Sequence, residues 1–141
     1  MKVNIGPILN KGKSSRVIDI QIDRYDVQNV DSTISLILVP LLKRYKDVAT
    51  TGTPIVQDED LPENLRTTEK NDNTIAPEET FENDNTYFRQ KRWNWILDEI
   101  IWAFEQYIND SRFDVIQSSE NYYRVKNGRM LFAKYFDDMW I

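Results

Sequence analysis

The fold is decided by residues 86–109, which read TYFRQKRWNWILDEIIWAFEQYIN. At 100° per residue, nine apolar side chains of this stretch fall on one arc of about 160°, as in an amphipathic helix of about six turns. They are Trp93, Ile96, Leu97, Ile100, Ile101, Ala103, Phe104, Tyr107 and Ile108. The pattern predicts a long central helix that buries this arc in the core.

A second aromatic stripe lies on the polar side of the same helix. Phe88, Trp95 and Trp102 are spaced by seven residues, among polar neighbours such as Asp98 and Glu99. A surface helix of a simple monomer does not need such a stripe. The stripe indicates a helix buried on two sides, a subunit interface or a platform for stacking.

The N-terminal part of the chain predicts strands and then a helix. Residues 16–23 alternate between apolar and polar, which is typical of a strand that buries one face, here Ile18, Ile20 and Ile22. Val3 and Ile5 indicate a shorter strand. A helix then runs to about residue 46, with Asp31 as its predicted N-cap and with Pro40 expected to kink or divide it.

The C-terminal part predicts a short strand at 113–117 and a short helix from Ser118-Ser119 through Lys126. Asn127-Gly128 is compatible with a hairpin turn or with a helix C-cap. The apolar residues that follow repeat at i, i+1, i+4 and i+5, so we expect a helix from about 129 to the end.

These elements predict one mainly helical α+β domain over residues 1–141. It would contain short strands, a long central helix, a C-terminal helix and a long acidic loop. The loop lies in a segment, residues 49–85, that carries a charge of −8, whereas the whole chain carries −5. We expect residues 66–84 to be a flexible acidic loop and Asp58–Glu63 to begin a short helix.

The composition excludes several classes of catalytic and metal site. The chain has no Cys and no His, which removes disulfides, thiol catalysis, serine–histidine triads and the usual zinc ligands. No P-loop motif is present. We therefore expect no enzymatic activity, no cofactor and no bound metal. No apolar run approaches the roughly 18 residues of a membrane span, and the first residues lack a signal-peptide core, so we expect a soluble, intracellular protein without a membrane partner.

Aromatic and basic residues interleave at three places, residues 24–25, 87–95 and 122–126. Aromatic faces stack on bases, and arginine pairs with phosphates, so the pattern favours a nucleotide-binding site. The alternative is that the aromatics belong to the core and the basic residues to its rim. Duplex DNA is not an expected partner, because the chain lacks a broad basic surface.

Four blocks of the chain resemble a family of tailed-bacteriophage proteins. The first is IDRYD (22–26) with DST (31–33) and VPLLK (39–43), and the second is GTPIV (52–56) with DEDLPENLR (58–66). The third, and most specific, is RWNWILDEIIWAFEQ (92–106). The fourth is NG (127–128) with LFAKYF (131–136) and Trp140. Together they cover about half of the chain.

The resemblance implies a phage anti-CBASS protein that acts as a nucleotide sponge. Such proteins evade bacterial immunity by binding cyclic dinucleotides, such as cGAMP, without cleaving them. The expected location is the cytoplasm of the infected host, and the second aromatic stripe favours a homo-oligomer, either a dimer or a tetramer. In this interpretation Arg and Lys pair with phosphates, Tyr and Trp stack on bases, and Glu99 accepts from a guanine edge. The candidate ligand-binding residues are Arg24, Tyr25, Arg89, Arg92, Trp95, Glu99, Trp102, Lys134 and Tyr135.

Three other functions remain open from the sequence. The protein could inhibit a host protein by direct contact, through its acidic segment or its aromatic stripe. It could be a structural or assembly protein of the phage. It could also be a carboxylate–metal nuclease or phosphodiesterase that uses acids at 19, 23, 26 and 31.

Overall fold

A computed structural model of the chain describes residues 1–10, 13–48, 53–67, 78–108 and 119–139. These residues form two β-strands, β1 (Lys2–Asn10) and β2 (Lys13–Gln21), and three α-helices. The helices are α1 (Val30–Val48), α2 (Glu78–Glu105) and α3 (Ser119–Lys134). This arrangement confirms the mainly helical α+β class.

The chain divides into two compact units, residues 1–34 and residues 35–141. The first contains the hairpin and the first turn of α1, and the second contains the rest of the helical structure. The expectation of a single domain stays a prediction. No helix in the described part of the chain is long and apolar enough to cross a membrane.

The first unit is an antiparallel hairpin with one apolar face. Val3 lies opposite Ile20 and Ile5 opposite Ile18, so the four side chains point to the same side. The predicted strand is confirmed, but the prediction that it buries Ile18, Ile20 and Ile22 is wrong, because all three are exposed. The described residues of this unit supply no second layer to cover a two-stranded ribbon.

The helix α1 begins earlier than its sequence indicates. The carbonyl of Asn29 accepts a hydrogen bond from the Thr33 N–H at 3.0 Å, so the helix already includes Val30. Asp31 therefore lies in the first turn and not at the predicted N-cap. Pro40 lies inside the helix without dividing it, and α1 buries Val39 and Leu42 in the core.

The core of the second unit is centred on α2. The predicted arc is confirmed within α2, where Trp93, Ile96 and Ile100 are fully buried and Phe104 is half-buried. The helix ends at Glu105, before the predicted end near 109, so the half-buried Tyr107 and Ile108 lie in turns beyond it. Side chains from α1, from residues 53–67, from α3 and from the residue that follows α3 pack around the arc. They are Val39, Leu42, Val56, Leu61, Leu131 and Tyr135. The predicted aromatic stripe, Phe88, Trp95 and Trp102, is half-buried.

The start of α2 corrects the predicted loop. The helix begins at Glu78, so residues 78–84 of the predicted acidic loop 66–84 are helical. Residues 68–77, the middle of that loop, lie outside the described residues, as does the strand expected at 113–117. Two 3₁₀ turns, Asp58–Asp60 and Glu63–Leu65, stand where a short helix was expected, and Pro62 precedes the second turn.

The helix α3 passes straight through Asn127-Gly128, so this pair is neither a turn nor a C-cap. A Cβ at Gly128 would lie 2.7 Å from the Glu99 carbonyl oxygen and closer still to the Cβ of Ala103. The glycine is therefore required by the close approach of α3 to α2, and not by a change of direction. The helix ends at Lys134, before a 3₁₀ turn at Phe136–Asp138, and does not continue to the end of the chain.

Candidate functional site

The structure divides the predicted ligand-binding residues among several places. Arg24 and Tyr25 lie in the first unit, in the exposed turn that follows β2. The other seven lie in the second unit, on α2, at the last residue of α3 and immediately after it. Of these, Trp95 is half-buried and packs against the core. The remaining six form three groups, namely Arg92 with Arg89, Lys134 with Tyr135, and Glu99 with Trp102.

Arg92 fixes residues 53–67, which we call the latch segment, to α2. Its guanidinium donates to the Val56 carbonyl at 2.7 Å and to Asp58 Oδ1 at 2.5 Å. Thr67 donates to the same carboxylate from its backbone N–H, at 3.1 Å, and from its hydroxyl. The bonds from Thr67, helped by Arg92, lower the pKa of Asp58. Arg92 is buried, and these hydrogen bonds engage its guanidinium within the chain.

Lys134 and Tyr135 hold the middle of the latch segment. The Tyr135 hydroxyl donates to Asp60 Oδ2 at 2.5 Å and accepts from the Gln57 N–H at 3.1 Å. Lys134 Nζ lies 2.7 Å from Asp60 Oδ2 and 3.1 Å from Glu59 Oε1. The hydrogen bond to Asp60 raises the pKa of Lys134, and burial followed by the same carboxylate raises that of Tyr135. Both predicted ligand contacts are therefore engaged within the chain.

Glu99 and Trp102 form a third group, together with an arginine of α3. Both carboxylate oxygens of Glu99 accept from Arg124, at 2.6 and 2.9 Å. The guanidinium carbon of Arg124 lies 3.8 Å from the centre of the Trp102 ring. Glu99 raises the pKa of Arg124. The guanine contact expected of Glu99 would have to displace Arg124.

One pocket combines predicted site residues with residues that the sequence did not single out. It has a volume of about 190 Å³ and lies between α2 and the two ends of the latch segment. It is lined by Pro54, Ile55, Val56, Thr67, Phe88, Arg89 and Arg92, and we call it the Arg89 pocket. An open depression over Gln57, Asp58 and Glu59 adjoins it and shares four of its lining residues.

Arg89 is the cation of this pocket that remains available. It is exposed, and within the described ranges it makes no ion pair. The half-buried ring of Phe88 and the apolar side chains of Pro54 and Ile55 supply the walls. Such a pocket can hold a flat or apolar group while the guanidinium pairs with an anion.

Sequence reasoning missed two parts of these arrangements. Arg124 was not in the candidate set, although it lies in the interleaved stretch 122–126. Pro54 and Ile55 were also missed as pocket walls, although they lie in one of the four blocks that carry the family resemblance. Among the described side chains, no group of three or more acids is arranged to hold a metal ion.

The chain matches no protein-family model, no curated protein and no solved structure with which it was compared.

Proposed function

We propose that the protein binds a cyclic dinucleotide and sequesters it uncleaved, as a phage immune-evasion protein in the cytoplasm of the infected bacterium. The observation that carries the proposal is the Arg89 pocket, in which an exposed guanidinium adjoins an aromatic ring and apolar walls. The four sequence blocks that resemble the phage family support it as well. Retention requires no catalytic group, only surfaces for bases and cations for phosphates.

The geometry supports different proposed roles for the candidate residues. Arg89 would pair with a phosphate, and Phe88 would lie against a base. Arg92 would act through the latch segment, since it holds Val56 at the pocket wall and also binds Asp58, which lies in the adjoining depression. One stacked base contributes about 1–3 kcal/mol, and one charge-assisted hydrogen bond contributes about 1.5–3 kcal/mol.

The size of the pocket bears on the assembly. Its volume of about 190 Å³ is below the range of about 300–1,000 Å³ that drug-sized ligands occupy. A single pocket would therefore hold part of a cyclic dinucleotide, and the rest would need a second surface. That surface would come from the adjoining depression over Gln57, Asp58 and Glu59 or, in a homo-oligomer (a dimer or a tetramer), from another copy.

The test is a retention experiment with the purified full chain. The protein is incubated with a panel of cyclic di- and trinucleotides, separated from free ligand and then denatured, and the released nucleotide is identified by chromatography. We expect one or more cyclic dinucleotides to be retained and released intact. Recovery of a cleaved nucleotide would show that the protein is an enzyme and would contradict sequestration. No retention of any nucleotide would contradict the proposal and lead to a pull-down of host proteins.

A pair of variants locates the site. Arg89→Ala should weaken retention by roughly tenfold or more, because it removes a charge-assisted bond. Lys91→Ala is the matched control, since Lys91 is an exposed cation on the same helix outside the pocket. Equal losses in both variants would indicate a general charge effect and contradict the placement. Arg92→Ala is a poor test, because the loss of its buried hydrogen bonds would disturb the latch segment itself.

A further inference from the structure

The exposed side of α1 carries mostly apolar residues at the heptad spacing of a coiled coil. Six positions alternate in spacings of four and three residues: Val30, Ile34, Ile37, Leu41, Arg44 and Val48. We call these positions the α1 seam. Its five apolar members are between 36% and 62% exposed. Apolar residues at this spacing are typical of a helix that packs lengthwise against another helix.

The α1 seam is separate from the face of α1 that packs into the core. At 100° per residue, the buried Ser35, Val39 and Leu42 lie about 120–180° around the helix from the centre of the seam. Ion pairs of 2.5 Å from Lys43 to Glu105 and from Lys46 to Asp98 also tie α1 to α2. Within the described residues of the second unit, the packing of α1 thus leaves Ile37, Leu41 and Val48 exposed.

We propose that the α1 seam binds the α1 seam of a second copy of this chain, with the two helices antiparallel. Arg44 decides the orientation. In a parallel pair, two Arg44 side chains would face each other in one apolar layer, which is unfavourable for two like charges. In an antiparallel pair centred near residue 39, Arg44 would instead lie against Ile34 of the second copy.

Charge complementarity supports this register. Asp31 lies three residues before Ile34, on the same turn of α1, so the guanidinium of Arg44 can extend along Ile34 toward Asp31 of the second copy. Arg44 is exposed, and within the described ranges it makes no ion pair. The other layers are apolar: Ile37 would meet Leu41, and Val30 would meet Val48. The register therefore leaves no like charges in contact within the seam.

The first experiment measures the mass of the ligand-free full chain by light scattering coupled to size exclusion. We expect twice the monomer mass of 16.8 kDa. Leu41→Asp should give a monomer at the same concentration, which corresponds to at least a tenfold loss of dimer affinity. Leu36→Asp is the matched control, because Leu36 is a similarly exposed leucine of α1 outside the seam, and it should remain dimeric. Circular dichroism checks that both variants stay folded. A monomeric wild type or a dimeric Leu41→Asp would overturn the proposal.

The second experiment measures orientation, and the absence of Cys from the chain makes it simple. Val30→Cys and Val48→Cys are prepared separately and oxidised alone and as a mixture. The antiparallel register predicts a disulfide-linked heterodimer in the mixture and little cross-linking of either variant alone. Efficient cross-linking of each variant with itself would overturn that register. Neither experiment uses a nucleotide, so a failure here is distinguishable from a failure of the proposed ligand binding.

Discussion

The hairpin and the helical unit both present a clear apolar face, but only one of these faces is buried. Ile18 of β2 is 64% exposed, whereas Ile100 of α2 is fully buried. Each lies in a regular pattern, of period two in the strand and of period 3.6 in the helix. A pattern thus indicates the element and the side on which its apolar residues lie. Burial also needs a further element, which α1, α3 and the latch segment supply in the helical unit.

The largest expected difference between the two units comes from shortening one isoleucine in each. Ile100→Ala should lower the free energy of unfolding by about 2–5 kcal/mol, because it leaves a cavity in a packed core. Ile18→Ala, the same change in the hairpin, should cost less than about 1 kcal/mol. Urea unfolding followed by circular dichroism measures both. Equal losses would show that the hairpin face is covered in solution.

A smaller effect is expected from the hydroxyl that holds the latch segment. Tyr135→Phe should lower the free energy of unfolding by about 1–3 kcal/mol, since the Gln57 N–H and Asp60 each lose a partly buried partner. Tyr25→Phe is the control in the first unit, where the ring is exposed, and should change stability by less than about 0.5 kcal/mol. If the two variants unfold alike, the latch segment does not depend on Tyr135.

For Gly128→Ala, the prediction concerns whether the substitution raises or lowers the stability of the protein. Helix propensity alone says that Gly128→Ala should stabilise the protein by about 1 kcal/mol. Because the added methyl would meet Ala103 and the Glu99 carbonyl, we expect a net destabilisation, with an overpacking cost of about 1–3 kcal/mol. Asn127→Ala, at the exposed neighbouring position, should be neutral or slightly stabilising. Thermal unfolding of the two variants tests this, and a stabilised Gly128→Ala would contradict the close approach.

The smallest effect concerns pH. The pKa of Asp58 is lowered in the folded state, first by the bonds from Thr67 and then by Arg92. A carboxylate with a lowered pKa stabilises the fold above its unfolded pKa of about 3.9, and this contribution is lost as the pH falls through the lower folded value. The stability difference between wild type and Asp58→Asn should therefore shrink from pH 6 to pH 3. Glu63→Gln, an exposed acid of the same segment, provides the control series. A difference that stays constant over this range would count against the Asp58 bonds.

Much of the fold could be predicted from local patterns, and the errors have physical causes. The buried arc of α2 follows from a period that depends on neighbouring turns alone. The start at Glu78 was missed because residues 78–85 are mostly polar and show no such period. Gly128 was misread because turn chemistry and close helix packing favour the same residue, and only the position of Ala103 distinguishes them.

The candidate site was harder to predict than the fold. The sequence indicated residue types suited to anions, but Arg92 and Lys134 bind acids of the chain itself. Those acids, Asp58 and Asp60, are 34 and 74 positions away in the sequence, so no local pattern pairs them with their cations. The latch segment places apolar residues beside Arg89 and Phe88, which line one pocket. Arg89 is still available to pair with an anion, because no charge in the described ranges pairs with it.

The glycine at the crossing of α2 and α3 also fixes the register of the two helices. At Gly128 the backbone of α3 approaches the Glu99 carbonyl so closely that an added Cβ would lie 2.7 Å from its oxygen. A slide of α3 by one residue would bring Asn127 or Arg129 to that point, and either side chain would push the helices apart. The position of this glycine therefore sets the axial register of α3 against α2. Arg124 meets Glu99 on one side of this point, and Tyr135 meets Asp60 on the other.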